Sequence, residues 1–174
     1  DSIEYTINEL SEQAQRRQDS LDRLAESLTY RQSGDPVNIS RLLAVEPVAN
    51  ARLTSSYGYR TMGGRGEFHP GVDLAAPYGT PIYSTGAGVV VYSGWMRGYG
   101  NFIEIDHGNG YKTRYGHSSR LLVSVGDDIR KDQQIAMVGC TGRCTGPHLH
   151  YEIVREGKRQ DPSMYLALAP KRDE

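Results

Sequence analysis

The sequence predicts a mainly β, antiparallel domain preceded by an amphipathic helix. Three observations carry this. The 174 residues include twenty Gly, eight Pro and twelve Tyr, a mix suited to short strands and tight turns. From about Leu53 onward, runs of four to eight β-prone residues alternate with Gly-bearing turns. Before that point the texture differs, with a helical apolar stripe and no Gly or Pro until Gly34.

Residues 1–33 form the first element. Ile3, Ile7, Leu10, Ala14, Leu21, Leu24 and Leu28 follow alternating steps of four and three, and Arg17 takes one seam position. The stripe fits a helix packed on the following domain, or the end of a coiled coil that dimerises or reaches toward a membrane anchor; the heptad spacing favours the coiled-coil end. Gly34, Asp35 and Pro36 stop the helix. Residues 34–52 read as a linker wrapping onto the domain. The chain opens at Asp1 without a Met, the mark of a processed or truncated form whose anchor lies outside this sequence.

Residues 53–168 hold the β domain, and 169–174 a tail. Thr80 to Tyr92 is rich in β-branched and aromatic residues, with Gly86 and Gly88 marking a turn or bulge. Phe102 to Ile105 is a strand, and Asn109-Gly110 signals a hairpin with a return strand over Tyr111 to His117. Leu121 to Val125, Gln134 to Val138 and His148 to Val154 supply further strands.

Composition excludes several function classes. Twenty Lys and Arg balance twenty-one Asp and Glu, giving a formal charge of −1, unlike a basic nucleic-acid binder or an acidic disordered tail. Mean hydropathy is −0.57 and no run approaches the ~18 apolar residues of a membrane span. Cys140 and Cys144 are too few for a four-ligand structural zinc site. They fit either a short disulfide in an oxidising compartment or two buried thiols.

Three histidines and an aspartate resist explanation by packing. His69-Pro70-Gly71-Val72-Asp73 sets an imidazole four residues from a carboxylate where Pro and Gly forbid a helix. His148-Leu149-His150 opens a strand after a Gly-Pro turn, so both imidazoles share one face and Leu149, Tyr151 and Ile153 take the other. A catalytic zinc takes three protein ligands and keeps one position open. His69, Asp73 and one of the paired histidines would supply two nitrogens and an oxygen, leaving the other histidine as base or oxyanion donor. Taken singly, each motif also fits chance pairing on a solvated face.

Together the motifs resemble the lysostaphin/LytM-type zinc metallopeptidases. Glu67 to Pro77 looks like that family's HxxxD signature, and Gly139 to Glu152 like its TGPHLHxE segment. Tyr99-Gly100-Asn101, Ile105 to Gly108 and Tyr115-Gly116-His117 resemble the intervening strands. The match runs from about Leu53 to Leu166, roughly two thirds of the chain. The resemblance implies an antiparallel LytM-type peptidase fold. It also implies one Zn²⁺ per chain on His69, Asp73 and His150, with His148 and His117 as catalytic histidines at the open position. Cys140 and Cys144 depart from it, standing where small hydroxyl residues are usual.

The implied activity is a zinc metalloendopeptidase, a hydrolase cutting peptide crosslinks of bacterial peptidoglycan through a zinc-activated water whose pKa falls from 15.7 to about 7. The alternative is a non-catalytic LytM-like regulator of another cell-wall hydrolase, though such relatives are expected to lack zinc ligands that this chain keeps. An adhesion or metal-binding module built on the coiled-coil end would make His117 and His148 dispensable. The expected partners are peptidoglycan stem peptides and no nucleic acid, with a membrane tether or dimer through the N-terminal helix. The balanced charge and anchor-like helix point to a periplasmic or cell-envelope enzyme acting on direct stem crosslinks. His107, beside the Gly108-Asn109-Gly110 turn, is expected to bond locally rather than to back a ligand. Glu152 either orients a ligand or faces solvent. Trp95 and the tyrosines near Tyr99 either line a substrate groove or pack in the core.

Overall fold

The structure, a computed structural model, describes residues 3, 7, 10–18, 21, 43 and 45–172. The chain divides into two compact units, residues 1–39 and 40–174. In the first, residues 10–18 are helical, and Ile3, Ile7, Leu10 and Leu21 are exposed. The expected linker over 34–52 falls mostly outside the described residues. Its described part joins the second unit, where Leu43 and Val48 are buried and Tyr83 donates its amide to the Pro47 carbonyl.

Among the described residues the second unit carries thirteen strands. In chain order the first seven are β1 (Arg52–Ser55), β2 (Gly58–Met62), β3 (Arg65–His69), β4 (Val72–Ala75), β5 (Pro81–Tyr83), β6 (Gly88–Met96) and β7 (Gly100–Gly108). The rest are β8 (Tyr111–Ser118), β9 (Arg120–Leu121), β10 (Asp128–Ile129), β11 (Gln134–Met137), β12 (His148–Arg155) and β13 (Lys158–Gln160). A short helix, Ser163–Ala167, follows. The large sheet has the order β1-β4-β12-β8-β7-β6-β10, and β13 also pairs with β12. A three-stranded sheet, β5-β11-β9, and the β2-β3 hairpin complete the unit. All pairings are antiparallel, as the turn-rich sequence requires.

The Asn109-Gly110 turn joins β7 to β8, with both residues at positive φ. The stretch from Thr80 to Tyr92 is broken at residues 84–87, separating β5 from β6. The strand expected over Leu121 to Val125 shrinks to Arg120–Leu121, because Ser124 and Asp127 close a turn in which the Ser124 amide donates to the Asp127 carboxylate.

Strand β12 crosses the middle of the large sheet and is buried on both faces. Leu149, Tyr151 and Ile153 are fully buried on its apolar face, where the Tyr115 and Tyr151 hydroxyls both meet the Thr85 side chain. The opposite face carries His148, His150 and Glu152. His150 and Glu152 are also buried, so this polar face is covered as well.

His107 does not serve the hairpin turn beside it. Its Nδ1 donates to the Ala87 carbonyl, and its Nε2 accepts from the Thr113 hydroxyl at 2.6 Å. Burial pushes this imidazole from 6.5 down to about 4. Between those values the unfolded chain binds a proton that the folded chain refuses, so stability falls as pH drops through this window. The loss is on the order of 3 kcal/mol. Denaturant unfolding at pH 7 and pH 4 should show it, and His107→Gln should flatten that slope.

Candidate metal centre and active site

Antiparallel register brings the motif residues together. Asp73 on β4 lies directly opposite His150 on β12, and His150 opposite Gly116 on β8. His69 ends β3, and Pro70-Gly71 lead the chain into β4, which pairs with β1 and β12. Gly71 is required there: a Cβ would sit 2.2 Å from the Tyr151 carbonyl oxygen. His69 Nε2 stands 3.2 Å from Asp73 Oδ1 and 3.2 Å from His150 Nδ1, while His150 Nδ1 lies 2.9 Å from Asp73 Oδ1.

Each candidate ligand atom is backed by a partner on its far side. His69 Nδ1 donates to the Ser56 carbonyl at 2.8 Å, which leaves Nε2 as the free lone pair of a neutral ring. His150 Nε2 donates to Glu152 Oε1 at 3.0 Å, freeing Nδ1 in the same way. Asp73 Oδ2 receives Arg60 Nη1 at 3.4 Å, which turns Oδ1 toward the histidines. Burial alone would raise the Asp73 carboxyl, but the bonds with His150 and His69 outweigh it and hold it well below the usual range. Burial likewise opposes ionisation of Glu152, yet His150, Tyr99 and Arg114 bring it down to about 2. Burial pushes the His150 ring down, and its two carboxylate neighbours more than reverse this. The pocket is therefore built to hold positive charge between two carboxylates.

His148 and His117 flank this cluster. His148 Nδ1 donates to the Gly146 carbonyl at 2.7 Å and turns Nε2 toward Asp73 Oδ1, 3.6 Å away. His117 Nδ1 donates to the Thr141 carbonyl at 2.7 Å. His117 adopts φ 63, a conformation uncommon outside glycine, and its ring centroid lies 4.7 Å from that of His148. Burial depresses the His117 imidazole to about 4, so it is neutral at pH 7. His69, Asp73, His117, His148 and His150 line one groove of about 940 Å³, with Arg60, Tyr99 and Arg143 on its walls.

Residues 67–162 match the model for Peptidase family M23. The chain belongs to peptidase family M23. Over 90 residues it is 49% identical to the peptidoglycan DD-endopeptidase ShyA of Vibrio cholerae, covering 52% of this chain and 21% of that protein. Among solved structures, it superposes on a zinc-containing peptidase from Vibrio cholerae with a TM-score of 0.64 at 38% identity, covering 73% of this chain and 39% of that one. It also superposes on the catalytic domain of lysostaphin from Staphylococcus simulans, with a TM-score of 0.63 at 35% identity, covering 68% of this chain and 93% of that domain. The chain spans between 21% and 34% of the length of the curated relatives it matches.

Within this M23 domain the structure gathers His69, Asp73, His117, His148 and His150 into one groove and leaves His107 outside it. Glu152 is fully buried behind His150 and accepts from Tyr99, Arg114 and His150, so it is no solvated strand position. Tyr99 lines the groove, whereas Trp95 is 62% exposed and belongs neither to groove nor core. Arg60 carried no signal in the sequence, being one of two arginines in the β2-β3 hairpin. Cys140 and Cys144 form a disulfide.

The partner behind His150 predicts a measurable effect. Glu152→Gln keeps the volume but replaces a carboxylate by an amide whose NH₂ faces the Arg114 guanidinium. For a zinc held on this cluster, affinity should fall by about 10–100-fold, the usual cost of losing the outer partner of a ligating histidine. Competition with a chromophoric chelator measures this without reference to turnover.

Proposed function

We propose that the M23 domain of this chain is a zinc-dependent endopeptidase that hydrolyses peptide crosslinks of bacterial peptidoglycan. His69, Asp73 and His150 are its metal ligands, and His117 and His148 its catalytic histidines. The carrying observation is the arrangement of the three ligand atoms. A tetrahedral zinc with bonds of about 2.0–2.1 Å keeps neighbouring donors about 3.3 Å apart. Here they stand 2.9–3.2 Å apart, each with its far side already engaged. Two imidazoles and one carboxylate also form a donor set that zinc favours. Bound there, zinc would polarise the scissile carbonyl and lower the pKa of a water.

The protein's own groups do the rest. His117 and His148 keep their Nδ1 protons on backbone carbonyls, so each presents a basic Nε2 to the groove. Either can accept the proton of the attacking water at its Nε2, and the imidazolium so formed can donate to the developing oxyanion and then pass that same proton to the leaving amine. Arg143, exposed on the groove wall, suits a carboxylate-bearing stem peptide. The complete ligand set speaks against a purely regulatory role, and the named activity of ShyA supports peptidoglycan as substrate in the cell envelope.

Digestion of purified peptidoglycan with and without chelator, followed by mass analysis of the fragments, tests this reading. Crosslinked dimers should yield monomers only when metal is present. Identical fragment profiles with and without chelator would remove the zinc peptidase assignment.

A further inference from the structure

The disulfide is the feature of this domain that the proposed chemistry leaves unused. It closes the loop from Cys140 to Cys144, with the two Cα atoms 5.3 Å apart. Both backbone carbonyls that fix the candidate catalytic histidines belong to this loop or its continuation: Thr141 holds His117 Nδ1 and Gly146 holds His148 Nδ1.

The two halves of the loop are anchored differently. Thr141 is secured by its own side chain, which donates to the Ser118 carbonyl at 2.7 Å and accepts from the Asn101 amide. The Arg143 amide donates to Gly98, and Gly142 packs so tightly on Gly100 that a Cβ would meet the Gly100 nitrogen at 2.4 Å. Beyond Arg143 these ties end. Among the described residues no backbone–backbone hydrogen bond involves residues 144–147, and the next is His148 N to Gly139 O. The sulfur bridge is what pins this stretch to the anchored half. Cys144 Sγ also lies 3.0 Å from the Gly146 oxygen and 3.6 Å from His148 Nδ1. As a disulfide sulfur it has no proton, so His148 holds that carbonyl without a competitor; a thiol there would be a rival donor.

We propose that Cys140 and Cys144 are positioning residues for His148: their disulfide fixes the Gly146 carbonyl that sets the ring's tautomer and aim, and reducing it uncouples catalysis from metal binding. The metal ligands sit on β3, β4 and β12, held by ladder pairing rather than by the loop, so zinc should stay while turnover falls. The catalytic part of this rests on the peptidase reading above.

The test compares the zinc-loaded protein before and after treatment with a trialkylphosphine, and with a Cys140→Ala, Cys144→Ala double variant. The phosphine, with one water, becomes its oxide and supplies two electrons and two protons, giving two thiols. Nitrogen-15 spectra of the histidine rings, taken about two units above the ordinary imidazole pKa, report the His148 tautomer directly. Expected are an Nδ1-protonated His148 in the oxidised protein and a mixture of tautomers once the bridge is gone. Alongside it, kcat should drop about tenfold or more, with KM and zinc content within about twofold, because part of a 10²–10⁴-fold acid–base contribution is lost. Reoxidation should restore both signals. An unchanged tautomer, or an altered one with kcat intact, overturns the proposal, and so does loss of zinc in parallel with activity. An altered tautomer in a protein that cleaves nothing in either state would support the positioning and sink the peptidase reading instead.

Discussion

His150→Ala should abolish both zinc retention and peptidoglycan digestion. The side chain is buried and its Nδ1 lies within 2.9–3.2 Å of the other two ligand atoms, so no neighbour can replace it. Metal polarisation is worth several kcal/mol, and each 1.36 kcal/mol is tenfold in rate, so the loss should be at least about 10³-fold. Removing the ring also strips Glu152 of one donor, which could unsettle the fold. Asp73→Asn separates the two causes, since it keeps volume and shape while removing the charge. Metal analysis of both purified variants should find well under one zinc per chain, with circular dichroism unchanged for Asp73→Asn. Full zinc occupancy in that variant would take Asp73 out of the ligand set.

Spacing singled out His69, Asp73 and the His148–His150 pair because strand periodicity and turn chemistry are simple rules, while the choice of His150 within that pair came only from the family resemblance. Residues two apart on a strand share a face, which placed His148 with His150. Pro70 and Gly71 forbade a helix, which left a turn able to return Asp73 beside β12. What sequence could not supply was the depth of each face. Glu152 reads equally well as solvated or buried until β12 is seen between β4 and β8, where even its polar face is covered. His107 misled for the same reason. The adjacent turn suggested a local bond, yet its ring reaches across to Ala87 and Thr113. The disulfide stayed open because spacing does not fix a Cα–Cα distance, and Arg60 stayed hidden because only the fold carries the hairpin over Asp73.

His148→Ala should give the opposite signature to His150→Ala: zinc retained and turnover lost. Its Nε2 lies 3.6 Å from Asp73 Oδ1, farther than either neighbouring ligand atom, and the side chain is partly exposed to the groove. The ring therefore reaches the reacting groups without holding the metal. An acid–base group of this kind contributes about 10²–10⁴-fold, so kcat should fall within that range while KM moves little. His117→Ala should behave similarly, since its neutral ring faces the same space 4.7 Å from the first. If the two divide one proton relay, removing both should cost little more than removing one, because groups acting as a unit are far from additive. If they act independently, the losses should multiply. Single-turnover cleavage of a crosslinked muropeptide by the four proteins distinguishes these cases. A His148→Ala protein with normal kcat would end its role in catalysis and leave His117 alone at the open side of the metal.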